Sequence, residues 1–543
     1  MADTKAEPET ELKNLFATAR LLKADASLSD LAEEDQIRGL NMVKEFGDTV
    51  NEVSTQEKAD PNLFKIIQSK IDELDRDIAE GLNEVLHLDK FQKLEATWRA
   101  LHYLVFNTET SSRLKLRVLD VTETEMRDDL EKALDFDQSA LFKKIYEEEY
   151  GTLGGKPYGC LVADIAINRS APSLSLLKKL ASVAAAAHAP LIAAADAKLF
   201  DLEGFDELPN PRDVAKIFES SDMAEWNAFR ESEDSRYVTL TLPRVLMRLP
   251  YHPVDNPVDG LSFKEDVGDE YKPDNELFVL EPANGNAPAD PKKVLEAKKA
   301  EDAKKFKEAE AQRLLRLKPK AENYLWGNPA FVLAQRITEA FAMYSWTAAI
   351  RGVEGGGKVE GLPLHKFKSL NGDKAVIVPT EVSITDRREK ELSDQGFVSL
   401  VYCKDTNYAA FFGSQTVNKP KKYNLPAANS NAELSARLPY ILNTSRFAHY
   451  IKVMMRNRVG SFMTKENVQT YLTTWISDYV LDKDDAGQEL KAKYPLREAR
   501  IDVSDVPGQP GSYSATVFLR PHFQLEGLSA SLRLVAELPA AAA

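Results

Sequence analysis

The stretch from Tyr158 to Ala195 leaves the chain little freedom. Tyr158 to Ile167 is a mostly apolar run, Pro172 to His188 has the length and alanine–leucine content of a helix, and Leu191 to Ala195 is apolar again. Two short apolar runs joined by a helix-length connector read as a βαβ unit with a parallel pair of strands. Upstream, Leu114 to Val121 alternates as a strand and Glu123 to Leu134 has helical spacing. An alternating β–α order of this kind predicts an α/β domain.

Glycines just before this unit, Gly151, Gly154 and Gly155, with Lys156, invite a phosphate-loop reading. The mechanics oppose it. A phosphate loop follows a strand, sets four residues between its glycine and Gly-Lys, and ends in Ser or Thr at the start of a helix. Here the glycines precede the strand, the spacing is short, and Pro157 stands where the hydroxyl is needed. A tight turn feeding a strand fits better. Gly355-Gly356-Gly357-Lys358 is followed by Val359 and reads as a loop.

The length of 543 residues allows two to four domains and a sizeable core. No apolar run reaches membrane-spanning length, since Ala184 to Ala195 is short and interrupted by His188 and Pro190. The acidic start, Met1 to Glu7, lacks an apolar signal region, so the expected location is cytoplasmic, with no membrane insertion. A net charge of -15 opposes broad nucleic-acid binding. Cys160 and Cys403, far apart and in apolar strand-like settings, are expected as buried free thiols.

Near the N-terminus Leu12, Leu15, Phe16, Ala19 and Leu22 form one stripe, followed by a polar linker from Ala24 to Asp35. Such a helix is either a frayed tail or a segment that docks in a partner's groove. Helices are expected at Gln36–Val53 and Asn62–Leu86. Leu88 to Glu109 follows, where Phe91, Leu94, Trp98, Leu101 and Val105 form a wide apolar stripe read as core. Asp255 to Pro291 reads as loop, and Lys292 to Leu317 as an exposed helix of mixed charge. Asn328 and Pro329 start a central helix expected to reach Ile350. Strands are expected at Ala375–Ile384, Phe397–Tyr402 and Tyr408–Phe412, with a short helix near Asp386–Ser393. Asn418 to Asn431 reads as a linker. Beyond it come helices at Asn443–Arg458 and Thr464–Leu481.

Three strand-like runs close the chain: Leu496 to Val503, Tyr513 to Leu519, and Leu528 to Ala536. The last has period two, with Leu528, Ala530, Leu532, Leu534 and Ala536 on one face. Gly527 between the last two runs suggests that they pair as a hairpin. They finish their own domain's sheet or pair with another chain by strand addition.

Ala515 to Pro539, ATVFLRPHFQLEGLSASLRLVAELP, resembles the C-terminus of the large subunit of the bacterial type VI secretion contractile sheath, the TssC/VipB type. Leu88–Glu109, Leu242–Tyr251 and Tyr324–Gly352 resemble further signatures of that family, as does the glycine turn before Tyr158. The likeness runs from about Asp89 to Pro539. It implies a multidomain α/β and α+β fold. Residues 1–61 would be a helical N-terminal extension, and 62–417 a central mixed sheet flanked by helices, with a charged insertion at about 284–322. Residues 418–543 would be a C-terminal α+β domain ending in strands available for inter-subunit pairing. The resemblance also implies partners: a small sheath subunit, an inner tube protein, a baseplate, and a sheath-recycling AAA+ ATPase reached through the small subunit.

Residue roles follow from the same resemblance. Leu528, Ser529, Ala530, Ser531, Leu532, Arg533 and Leu534 would pair between subunits. Leu12, Leu15, Phe16, Ala19 and Leu22 would dock on a partner. Arg446, Lys452 and Arg456 would face the inner tube. No catalytic, metal or cofactor site is expected: HExxH, GxSxG and dinucleotide fingerprints are missing, and the seven histidines are scattered. The rival reading is a cytoplasmic α/β enzyme working at the strand ends of the βαβ unit.

Overall fold

The computed structural model describes residues 41, 44, 63–211, 213–267, 321–368, 374–461, 463–483, 485–507, 512–522 and 524. The chain divides into two compact units, Met1–Val85 with Tyr251–Glu265, and Leu86–Pro250 with Asp266–Ala543. In the first, helix α1 (Leu63–Leu86) carries Ile71, Leu74, Ile78, Leu82 and Val85 at helical spacing, all exposed. The loop from Tyr251 to Glu265 closes on itself, the Tyr251 amide donating to the Glu265 carboxylate at 3.0 Å and the Glu265 amide to the Tyr251 carbonyl at 2.9 Å.

The second unit begins with α2 (Asp89–Phe106) and α3 (Glu123–Lys132). A capping box starts α3: the Thr122 hydroxyl accepts from the Glu125 amide, and the Glu125 carboxylate accepts from the Thr122 amide. A turn at Ala140–Phe142 runs into a π-helical segment, Lys143–Gly151. Then come β1 (Leu161–Ile167), α4 (Ala171–Ala187) and β2 (Leu191–Ala195), with β1 and β2 parallel as the spacing predicts. The glycine segment before β1 is the expected turn. Gly154 has φ +81°, and a Cβ on Gly155 would lie 2.2 Å from the Glu149 carbonyl oxygen.

Helix α5 (Ala224–Glu231) and β3 (Val238–Leu242) extend the pattern. A small ladder joins β4 (Val245–Leu246) to β5 (Trp326–Gly327). The central helix α6 (Ala330–Tyr344) follows, then β6 (Lys358–Glu360) and a hairpin of β7 (His365–Lys368) and β8 (Lys374–Ile377). Next come α7 (Asp386–Asp394), β9 (Phe397–Tyr402) and β10 (Tyr408–Phe411). The six-stranded sheet has the order β1-β2-β3-β9-β10-β6. Its first four strands are parallel; β10 is antiparallel to both neighbours. Both faces are covered. On one, Leu177 and Leu180 of α4 meet Trp226, Phe200 and Phe397; on the other, Val332, Leu333 and Ile337 of α6 meet Ile192 and Leu400. This is a mixed sheet flanked by helices, as expected.

Local expectations fail in three places here. Helix α6 stops at Tyr344 rather than Ile350, because Ser345 turns left-handed at φ 62°. Of the expected strand at 375–384, only Ala375–Ile377 enters a ladder, and Thr380 adds an isolated bridge to Val245. Leu114–Val121 enters no strand: among the described residues its backbone makes one bond to other backbone, from the Ser111 amide to the Leu114 carbonyl.

The segment read as a linker at 418–431 is also firmer than its composition suggests. Asn418 is buried, and its Nδ2 donates to the Arg230 carbonyl at 3.2 Å and the Ser235 hydroxyl at 2.8 Å. Pro426–Leu434 is helix α8. Then come α9 (Leu438–Arg458), α10 (Lys465–Ser477), α11 (Gln488–Lys493), β11 (Leu496–Asp505) and β12 (Tyr513–Pro521). The insertion at 284–322 lies almost wholly outside the described residues.

Candidate functional site

The C-terminal elements form a layer with a core of their own. Helix α10 starts at Thr464, whose hydroxyl accepts from the Asn467 amide. Val468, Leu472 and Ile476, four residues apart, share one face and are buried. They pack on Leu496, Ile501 and Val503 of β11 and on Val517 and Leu519 of β12. Trp346, just beyond α6, stacks on Phe447 of α9 with centroids 4.6 Å apart, and Tyr479 and Trp475 close the cluster edge-on.

Strands β11 and β12 are antiparallel, in register from Glu498↔Arg520 to Asp505↔Tyr513. Among the described residues they make a two-stranded sheet that no other strand joins. At the start of β11 the Leu481 amide donates to the Leu496 carbonyl at 2.8 Å and the Leu496 amide to the Tyr479 carbonyl at 3.3 Å. Glu498, Arg500, Asp502, Phe518 and Arg520 are exposed. The hairpin seen thus joins the first and second terminal runs. The expected pairing of the second with the third, and with it Leu528 to Leu534, lies outside the described residues. So do Leu12, Leu15, Phe16, Ala19 and Leu22.

On helix α9 the three cations expected to face an inner tube lie against residues of their own chain. Lys452 Nζ sits 3.4 Å above the centre of the Tyr150 ring. Arg456 Nη1 donates to the Tyr150 carbonyl at 3.4 Å and the Gly151 carbonyl at 3.5 Å. Arg446 lies over Phe341 and Tyr450, 4.9 and 5.1 Å from the ring centres. All three cations are engaged with their own chain. His449 is buried beside them, its Nε2 donating to the Ala187 carbonyl at 2.9 Å. Burial holds this imidazole down at about 4, and also lowers His188.

Helix α2 presents a second surface. Helix α2 turns Ala96, Ala100 and Leu104 inward, where Ala100 and Leu104 pack on Phe331 and Ala334 of α6. Leu94, Trp98 and Val105, expected in the core, are 56%, 63% and 41% exposed. The roll of α2 is fixed by a buried pair: Arg248 Nε donates to the Glu95 carboxylate at 2.8 Å, which also accepts from Arg99 at 2.7 Å. Small residues let α2 approach α6 closely and leave Phe91, Leu94, Trp98 and Val105 outward, while Leu101 packs partly against that contact. Phe91, Leu94, Trp98, Leu101 and Val105 repeat at three and four residues, the spacing of a helix–helix seam.

Cys160 and Cys403 are free and half-buried, and burial pushes the Cys160 thiol up to about 12. Among the described residues no three His, Cys, Asp or Glu side chains converge to hold a metal, and no helix is long and apolar enough to cross a membrane.

The family described as EvpB/VC_A0108, tail sheath N-terminal domain, matches residues 68–281 and 293–418, and its gpW/gp25-like domain matches 427–538. The chain belongs to this tail sheath family. It is 43% identical over 482 residues to the type VI secretion system sheath protein TssC1 of Pseudomonas aeruginosa, covering 88% of this chain and 87% of the relative. Two solved structures are remote: the anti-feeding prophage baseplate (12% identity, 67% of this chain and 66% of that one, TM-score 0.33) and its helical sheath in the contracted state (13%, 66% and 66%, TM-score 0.30). The sheath protein is a structural subunit and not an enzyme, which removes the rival reading.

Proposed function

We propose that this sheath protein pairs with a small sheath subunit in the cytoplasm and polymerises as a helical tube around an inner tube. Contraction then propels that tube and its effectors. The observation that carries the reading is the β11–β12 hairpin: a strand edge without a partner among the described residues, held on a firm core. A two-stranded sheet is marginal alone, and unpaired edges demand partners. Leu528 to Leu534 is the segment proposed to pair between subunits, with the Leu12–Leu22 stripe docking on a neighbour. The outward stripe of α2 is proposed as the seat of the small subunit. A baseplate seats the polymer, and an AAA+ ATPase recycles it through the small subunit. Inner-tube contact through Arg446, Lys452 and Arg456 would be shared with the rings and carbonyls they already hold. Arg456, reaching only two carbonyls at long range, is best placed for it. Co-expression with and without the small subunit, followed by negative-stain imaging, tests the proposal. Tubules that need both chains support it; a soluble monomer from both preparations sinks it.

A further inference from the structure

Residues Arg113 to Arg117 alternate: Leu114 and Leu116 are half-buried, whereas Arg113, Lys115 and Arg117 are exposed; Val118, next in line, is exposed too. Leu116 packs on Ala100, Leu104, Phe331 and Ala334. The segment has the side-chain pattern of a strand and none of its backbone pairing. The Leu114 carbonyl accepts from Ser111, but neither the N–H nor the C=O of Lys115, Leu116, Arg117 or Val118 has a hydrogen-bond partner among the described residues. Beside it lies a cavity of about 460 Å³ floored by Ile337, Phe341 and Leu442. Arg113, Lys115, Arg117, Lys156 and Arg446 line it, and no Asp or Glu does, in a chain of net charge -15. Arg117 is paired with Glu149 outside the lining, and Arg446 is stacked on rings. Arg113 and Lys115 make no ion pair among the described residues, and Lys156 meets Glu149 through its amide, which donates to that carboxylate at 2.7 Å. Lys115 lies against Lys156, and this like-charged neighbour lowers its pKa.

We propose that Lys115–Val118 is an acceptor edge for a β-strand of a partner chain, one bearing carboxylates at every second position. This rests on the sheath reading and names one contact within it. The backbone edge supplies affinity without demanding particular side chains, and pockets beside it select them. In an antiparallel or parallel pair, the residues opposite Arg113, Lys115 and Arg117 share their face, where opposite charges stabilise and like charges oppose pairing. The intervening side chains of the incoming strand point the other way, toward the apolar floor of the cavity. The two lysines held together are relieved by the same carboxylates.

The test has two arms. Hydrogen exchange of the Lys115–Val118 amides is compared between the full-length chain and imaged tubules. The expected result is fast exchange in the chain alone and protection by about a hundredfold or more in the tubule. Tubules with unprotected amides would overturn the proposal and leave the sheath reading intact. The second arm needs no tubules. A labelled synthetic peptide of alternating glutamate and valine is titrated into the full-length chain by fluorescence anisotropy. It should bind, lose about tenfold or more in Lys115→Glu with Lys156→Glu, and fail when its backbone is N-methylated along one edge. Absence of binding, equal binding by the N-methylated peptide, or complete displacement by pyrophosphate each overturns strand addition. The N-methyl control alters the peptide alone, so a misfolded variant does not blunt the arm.

Discussion

His449 is neutral where it sits, because burial, and after it His188 and the cations Arg446 and Lys452, oppose its charge and outweigh the Ala187 carbonyl that favours it. Its folded pKa, about 4, lies below the ordinary 6.5. The unfolded chain therefore binds the extra proton first, so stability present above 6.5 is lost as pH falls toward 4. Each unit is worth about 1.4 kcal/mol. Urea unfolding should show a loss of about 2 kcal/mol between pH 7 and pH 4.5 that His449→Gln removes, the amide keeping the bond to Ala187. Equal slopes in both chains would refute this. Arg230 is a buried cation. It donates to the Val417 carbonyl at 3.0 Å, Gln395 Oε1 at 2.9 Å and the Asp394 carbonyl at 3.3 Å, and burial lowers it to about 10. Arg230→Ala strands those acceptors and should cost about 3 kcal/mol in thermal or chemical unfolding. Neither residue announced itself in the sequence, since their burial is decided by partners 262 and up to 187 positions away.

Helix α2 shows where periodicity helps and where it stops. The sequence marks a helix and an apolar stripe correctly, but it cannot say which side packs inward when small residues line the other. Ala96 and Ala100 carry a weaker signal than Trp98, yet their small size is what admits α6. By contrast β1, α4 and β2 were legible, because a buried parallel unit shows its spacing in composition alone. Leu114–Val121 misled for the opposite reason: it alternates only from Arg113 to Arg117, and it has no ladder partner among the described residues. Leu94→Asp with Trp98→Asp should change the stability of the free chain by no more than about 0.5 kcal/mol, as exposed sites do. The same pair should abolish co-purification with the small subunit. Unchanged co-purification would remove α2 from the interface.

At the scale of the whole molecule, the sheet and the C-terminal layer have separate cores, and the terminal run beyond Gly527 is proposed to pair between subunits. A one-residue slip there would turn Ser529, Ser531 and Arg533 inward, so its register is fixed by Leu528, Leu532 and Leu534. Truncation before Leu528, or Ser531→Pro, should abolish tubules while the helical N-terminal half stays resistant to limited proteolysis. Intact tubules from the truncated chain would show that these strands do not hold the assembly. The outward roll of α2 has an optical consequence. The chain has five tryptophans; Trp226 and Trp346 are buried, whereas Trp98 stands 63% in water. An indole in water emits farther to the red than one among apolar side chains. Covering the α2 stripe should therefore shift the emission of the protein to the blue as it assembles. With Trp98→Phe that component vanishes, and the growth of a sheath is read by colour in the native chain without a label.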